Sequence, residues 1–261
     1  MAAPAPHSGE HYYPAEAFAA LARLEANSFW FQSRNRIILS TLRRFVPPQP
    51  LRYAEMGCGT GFVLAAVAQA FPAWAVHGFD IHNEAVAFSR QRTPRALVRQ
   101  ADIHSLPQDH AYDVVGIFDV LEHLDDDLAA LQGIHRILRP AGLLILTVPQ
   151  HPGLWSPYDD AARHRRRYRR EEMRRRLTAA GFSVRFLSSF VSTLWPALWW
   201  RRRALRRLDP AAASAATRAD LTPSPWLDHL GRAAMWPDEA AARLGCPLSW
   251  GGSLLAVASK S

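Results

Sequence analysis

Along the first fifty residues the apolar positions recur at helical spacing: Phe18, Leu21 and Leu24, then Phe29, Trp30 and Phe31, then Ile37, Ile38, Leu42 and Phe45. Pro47, Pro48 and Pro50 end that pattern. Short apolar runs then alternate with amphipathic ones. Residues 51–56, 75–79, 96–100, 113–118 and 143–148 read as five strands, with helices over 62–71, 84–90 and 126–138. The run 143–148 is apolar throughout, as a strand covered on both faces must be. Alternation of this kind predicts an α/β, Rossmann-like fold, a mostly parallel sheet with helices on both faces.

Beyond Pro149 the pattern loosens. A loop over 151–162 leads into an arginine-rich helix that ends at Gly181. Residues 182–187 and 253–258 read as the sixth and seventh strands. The segment between them is rich in tryptophan, arginine, alanine and proline and reads as a helical insertion. The expected division is therefore a helical cap over 1–50, a core over 51–189, an insertion over 190–250 and a last core strand in 251–261. The insertion would serve as lid, dimer or membrane-interface element. Residues 210–225 are a weak linker candidate.

Composition narrows the class. With 49% hydrophobic and 21% charged residues the chain can bury a core, which argues against disorder. Its two cysteines, Cys58 and Cys246, exclude a disulfide scaffold and suit a reducing cytosol. Residues 1–13 lack the basic and apolar regions of a secretory signal, and no run reaches the ~18 uncharged apolar residues of a spanning helix. A cytoplasmic protein is expected, with peripheral attachment to the inner membrane face left open. The net charge of +8 is local. Nine arginines fall within 163–176 and five within 201–207, so the rest of the chain is slightly acidic. Either these runs are solvated helix faces or they meet an anionic partner.

The strongest chemical signal is Glu55-Met56-Gly57-Cys58-Gly59-Thr60-Gly61, directly after a strand and opening a helix. Its glycines permit a tight turn and close approach to a ligand, and the helix start offers free N–H groups. Asp80 follows the second strand, where a carboxylate can accept both hydroxyls of a ribose. A dinucleotide loop would need its third glycine at position 62, which is Phe62.

The pattern Glu-x-Gly-x-Gly-x-Gly instead resembles motif I of the class I S-adenosylmethionine (SAM)-dependent methyltransferases. Further ordered matches are Ala101-Asp102-Ile103, Tyr112-Asp113-Val114-Val115 and Leu138-Arg139-Pro140-Ala141-Gly142-Leu143, the last with Ala141 in place of the family's first glycine. The resemblance spans roughly residues 50–190. It implies SAM as cofactor and S-adenosylhomocysteine as product. Glu55 would hold the methionine amino end, with Gly57, Gly59 and Gly61 lining the methionine part. Asp80 would bind the ribose, Ile81 would pack on the adenine, Asp102 and Ile103 would meet its edge, and Phe118 would complete the cofactor site. Cys58 reads as a small spacer.

Phe118-Asp119-Val120-Leu121-Glu122-His123-Leu124 follows the fourth strand and resembles the Glu-x-x-Glu-His segment of the ubiquinone-biosynthesis O-methyltransferases, with Asp119 replacing the first Glu. In those enzymes the acids and the histidine hold a divalent metal. Here Asp119, Glu122 and His123 are the catalytic candidates. His123 is open to three readings, as general base or substrate contact, as packing, or as metal ligand, and the metal is not favoured. Phe29-Trp30-Phe31-x-x-Arg34-Asn35-Arg36 and the loop 148–168 resemble a bacterial subgroup of the same fold, in which such segments cover the substrate. Trp30, Trp155, Tyr158, His164 and Tyr168 are the substrate candidates.

The expected reaction is methyl transfer from SAM to a small or lipid-linked acceptor, at oxygen, with carbon and nitrogen as the alternatives. The Pro-Pro motif of amino-methylating nucleic-acid enzymes is missing after strand four, so nucleic acid is not the expected partner. Residues 186–200 are uncharged and apolar, broken by Pro196 and followed by arginines, so an anionic membrane surface is a candidate partner and a lid or dimer helix the alternative. The alternatives to the whole reading are an RNA methyltransferase using the arginine segment and a SAM-binding protein without turnover. Nothing in the sequence sets the oligomeric state.

Overall fold

The computed structural model describes residues 18–106, 112–209, 212 and 224–261. The stretch 1–13 and nearly all of the candidate linker 210–225 lie outside them. Two helices, α1 (Phe18–Glu25) and α2 (Phe29–Phe45), precede β1 (Arg52–Met56), α3 (Phe62–Ala70), β2 (Ala75–Asp80), α4 (Asn83–Arg92), β3 (Leu97–Gln100), β4 (Tyr112–Phe118), α5 (Asp127–Ile137) and β5 (Leu138–Pro149). The second half contains α6 (Pro157–Ala161), α7 (Arg170–Ala179), β6 (Phe182–Phe190), α8 (Trp195–Leu205), α9 (Pro225–Leu244) and β7 (Ser253–Lys260).

The seven strands form one sheet in the order β3-β2-β1-β4-β5-β7-β6. β1 to β5 pair in parallel, and β7 runs antiparallel between β5 and β6. One face packs under Leu131, Ile134 and Leu177 of α5 and α7, the other under Ile38, Leu42, Leu64 and Val67 of α2 and α3. That double cover is why β5 could carry an unbroken apolar run. The strand order reverses between β1 and β4, where a crevice opens beyond the carboxyl ends of the strands. Met56, Asp80 and Phe118 end their strands there.

Two elements differ from expectation. β5 begins at Leu138, which pairs with Tyr112. The register then shifts at the turn and resumes with Leu143 opposite Val114. Ala141 takes a left-handed φ of 62° in this turn, the conformation that favours glycine. The other difference is the length of β6. It runs to Phe190, three residues past the expected end at 187, with Ser188, Ser189 and Phe190 opposite Leu255, Leu254 and Ser253 of β7, so the first residues of the stretch 186–200 belong to the sheet. Only α8 remains as a surface helix from that stretch. Among the described residues no helix is long and apolar enough to cross a membrane.

The insertion docks on the N-terminal helices. Gly231 of α9 admits the Phe29 ring, which a side chain at that position would displace. Arg36 grips both carboxylate oxygens of Glu239 at 2.8 Å, and Asp228 accepts the Phe29 backbone N–H.

Candidate functional site

The loop after β1 holds three glycines at left-handed φ: Gly57 (66°), Gly59 (53°) and Gly61 (78°). A Cβ on Gly57 would run into the Val120 side chain from the turn after β4. Gly61 has a different task. It caps α3, and a Cβ there would lie 2.9 Å from the Ser89 Cα of α4, so this glycine lets two helices meet. It does not line the cavity described below, which corrects its expected place against a ligand. Cys58 is buried, with Sγ 3.7 Å from Ser89 Oγ, and burial pushes its thiol well up, as a spacer rather than a nucleophile requires.

Asp80 ties the second strand to this loop. Its Oδ2 accepts the Gly59 N–H at 2.8 Å and its Oδ1 the His82 N–H at 2.9 Å. Burial raises its pKa, and those two amides oppose the rise. Glu55 is 2% exposed and accepts from the Tyr53 hydroxyl at 3.0 Å. Burial pushes its carboxyl up to about 8, only partly offset by that hydrogen bond and by Arg34. Above the loop, Glu25 of α1 accepts from Thr60 and pairs with Arg92, which fastens α1 across the crevice.

A cavity of about 630 Å³ runs from this loop past the ends of β1, β2 and β4 to the inner face of α8. Glu55, Gly57, Gly59, Asp80, Ile81, Asp102, Ile103 and Phe118 line one part of it. Asp102 also accepts the His104 N–H and so fixes the short turn that presents Ile103. Asp119, Glu122, His123, Trp30, Tyr158 and His164 line the other part, roofed by Leu194, Leu198 and Leu205.

Two expected substrate residues lie elsewhere. Trp155 is outside the lining, its Nε1–H bonded to Asp160 at 2.9 Å. Tyr168 is fully buried behind the site, because the bridge pairing it with Gln150 turns it inward. Its hydroxyl lies 2.7 Å from Asp127 and 3.1 Å from the Leu121 carbonyl.

The turn after β4 is electrostatically crowded. Asp119 sits at a left-handed φ of 55° and forms an ion pair with Arg34, whose guanidinium lies 4.8 Å from the Trp30 ring centre. Glu122 is fully buried, and burial together with Asp119 pushes its carboxyl well above the usual range. His123 is pushed down to about 3 by burial and by the facing His164, whose ring meets it edge-on at 4.8 Å. His164 Nδ1 lies 2.9 Å from Asp159. Burial alone would raise Asp159, yet the His164 ring and the Arg167 and Arg202 guanidiniums hold it well below the usual carboxylate range.

This arrangement does not suit the metal that the resemblance would allow. Asp119 is committed to Arg34, and the Glu122 carboxyl resists ionisation. Donor atoms of Glu122, His123 and His164 do come within 4.8 Å of one another, but Arg167 and Arg34 impose their positive field on that group. A dication gains little from one reluctant carboxylate and two imidazole rings beside two guanidiniums.

Arg34, Asp159, Arg167 and Arg202 build the site, yet reading single motifs did not single them out. The Phe-Trp-Phe-x-x-Arg spacing did hold a signal. On α2 it places Arg34 three and four residues after Phe31 and Trp30, hence on their face. Arg202 comes from a helix far along the chain, and no local pattern pairs it with Asp159.

The methyltransferase-domain family matches residues 29–186 of the chain. A probable S-adenosylmethionine-dependent methyltransferase of Mycobacterium tuberculosis is 33% identical over 168 residues, covering 61% of this chain and 57% of that protein. The chain thus spans under three fifths of that relative's length. A methyltransferase in a Haloferax volcanii complex with the Trm112 methyltransferase activator shares the fold, with a TM-score of 0.63 at 21% identity over 95% of this chain and 98% of that one. Phosphoethanolamine N-methyltransferase 2 of Haemonchus contortus, solved with SAM, gives a TM-score of 0.60 at 18% identity over 95% of this chain and 57% of that one. With its glycine loop, its Asp80 latch and a sheet ordered 3-2-1-4-5-7-6, the chain belongs to the class I SAM-dependent methyltransferases.

Proposed function

We propose that this methyltransferase domain moves the methyl group of SAM to an oxygen of a small or lipid-linked acceptor, at an anionic membrane surface. SAM supplies a methyl group on a sulfonium, already a good leaving group. The protein's main task is therefore in-line alignment. Glu55 holds the methionine end, Asp80 the ribose, and Ile81, Asp102 and Ile103 the adenine. Asp119, Glu122 and His123, with Trp30, Tyr158 and His164, face the transferable methyl and the acceptor.

The observation that carries the acceptor reading is the two-sided character of α8. Leu194, Leu198 and Leu205 roof the cavity from within. Trp200, at 68% exposure, points outward beside the exposed Arg203 and Arg207. A tryptophan among arginines on the roof of an apolar cavity suits a headgroup layer from which a lipid-linked acceptor enters. RNA is the weaker reading, because four of the nine arginines in the longer run are committed to internal partners. Arg166 and Arg176 bind Asp127, Arg167 binds Asp159, and Arg170 binds the Leu187 and Leu248 carbonyls.

The test uses methyl-labelled SAM with extract of the source organism and an Asp80→Ala control. Label in the organic phase, lost in the control, is expected. Label confined to the aqueous phase overturns the lipid-linked reading, and label released by nuclease favours RNA. Flotation with vesicles containing anionic lipid checks the surface. Absence from the floated fraction, with and without anionic lipid, overturns it.

A further inference from the structure

His164 sits in the acceptor part of the cavity on a loop that the other walls hold rigidly. Its Nδ1 faces Asp159 Oδ1 at 2.9 Å. Asp159 has no exposed surface, and each of its oxygens is held more than once. Oδ1 also accepts from Arg167 at 2.7 Å, while Oδ2 accepts from the Ser156 N–H and from Arg202, both at 2.9 Å. Arg167 is itself anchored to the Gln150 and Gly252 carbonyls, and Arg202 to the Leu154 carbonyl and Ser156 Oγ. A carboxylate fixed this firmly keeps the proton of a neutral imidazole on Nδ1 and the lone pair on Nε2.

We propose that His164, oriented by Asp159, is the base that receives the acceptor's proton, and that Arg202 makes this base depend on α8 being in place. The inference rests on the acceptor presenting a hydroxyl, as proposed above. As the acceptor oxygen forms its bond to the methyl carbon, the carbon–sulfur bond breaks and its electron pair stays on sulfur. The hydroxyl proton passes to His164 Nε2, and the resulting imidazolium faces the Asp159 carboxylate until solvent takes the proton. His123 is the poorer base, since burial and the facing His164 ring already oppose its protonation. The charged and titratable groups around His164 include Glu122 and His123 from the turn after β4, Tyr158 and Asp159 from α6, Arg167 before α7, and Arg201 and Arg202 on α8. Asp159 and Arg202 are positioning residues, because they act through the ring.

Two measurements on the full chain test this. The first is long-range proton–nitrogen NMR of histidine-labelled protein, which needs no acceptor. His164 is expected as the Nδ1–H tautomer, and Asp159→Asn and Arg202→Gln are expected to mix the two tautomers. An Nε2–H tautomer in the unaltered protein overturns the proposal. The second is turnover of methyl-labelled SAM on the extract fraction that accepts label. His164→Gln is expected to lower kcat by about 10²-fold or more, with SAM affinity, read by calorimetry, within about twofold, the margin for unchanged binding. Imidazole added to His164→Gly is expected to restore part of kcat, and Asp159→Asn to move the acid limb of the pH–rate profile to lower pH. A His164→Gln variant that keeps a third of kcat with an unmoved pH profile overturns the proposal, as does loss in His123→Asn alone. If the unaltered protein labels no fraction, the acceptor reading fails, and the tautomer measurement still decides the dyad.

Discussion

The two arginine-rich segments look alike in composition but differ in how many of their arginines turn inward, and each keeps others exposed. In 163–176, Arg166, Arg167, Arg170 and Arg176 are drawn into the molecule, each against a carboxylate or a backbone carbonyl. In 201–207, Arg202 turns inward to Asp159, Arg201 lines the cavity and Arg206 donates to the Gly153 carbonyl, while Arg203 and Arg207 are exposed, as Trp200 is. The first segment stitches the loop after β5 to the turn after β4 and to α5. The second presents charge outward. Charge density along a chain does not say which occurs. What decides it is whether the fold brings an acceptor within reach, and Asp127 and Asp159 are the acceptors that do so here.

Removing an inward partner should break the comparison most strongly. Asp127 is buried at the start of α5 and receives Arg176 at 2.5 Å, Arg166 at 3.3 Å and the Tyr168 hydroxyl at 2.7 Å. Asp127→Ala strands those groups and should cost about 3 kcal/mol, because breaking a buried pair leaves charge uncompensated. Thermal or urea unfolding checks it. A loss below about 1 kcal/mol, the ordinary worth of an exposed ion pair, would mean that the first segment is no more structural than the second.

The outward segment should respond in the opposite sense. Arg203→Ala with Arg207→Ala should leave stability within about 0.5 kcal/mol. Binding to anionic vesicles should weaken by about 2 kcal/mol, from about 1 kcal/mol per basic residue at a charged surface. That is roughly a 30-fold drop in partitioning at fixed lipid, read by flotation across lipid concentration. Unchanged partitioning would make the exposed arginines merely solvated.

The same contrast applies to buried carboxylates. Asp159 has two guanidiniums and a histidine and is held well below the usual range, so its contribution to stability is present above the unfolded carboxyl value and is lost as pH falls below it. Among the described residues Glu55 forms no ion pair with an arginine, and its carboxyl stands at about 8. Its raised value means that ligand-free protein holds a proton there at neutral pH. Binding a methionine ammonium against Glu55 must expel that proton. SAM affinity should therefore rise by about 25-fold, some 1.9 kcal/mol, between pH 6 and 7.5. Calorimetry in two buffers of different ionisation heat would count the proton released, and Glu55→Gln should flatten the slope.

How much of this was legible in the sequence follows the range of the interactions. The strands, the glycine loop and Asp80 were readable because each is set by neighbours within a few residues: alternation of apolar runs, a left-handed turn, a carboxylate at a strand end. Ser188, Ser189 and Phe190 fell outside the expected sixth strand for the same local reason. An uncharged run looks alike whether it enters a sheet or a headgroup layer, and only pairing with β7 decides. Tyr168 looked like a pocket aromatic because its loop resembles one that covers the substrate, whereas its bridge to Gln150 points it inward. Arg202 with Asp159 and Arg34 with Asp119 join residues 43 and 85 positions apart, and no periodicity encodes such pairs.

The finest form of the comparison lies within the first segment itself. Arg174 neighbours Arg176 in sequence, but it faces Glu171 at 3.6 Å with both side chains largely in water. Water screens that pair, and holding two long side chains together costs entropy that offsets the Coulomb gain. Arg174→Ala should therefore change stability by less than about 0.5 kcal/mol, against a clear loss for Arg176→Ala, which gives up both Asp127 and Glu172. Parallel melts in low and high salt would separate them further. The Arg174 effect should vanish with salt, whereas the Arg176 effect should persist, since its partner Asp127 is shielded from the ions that screen the surface.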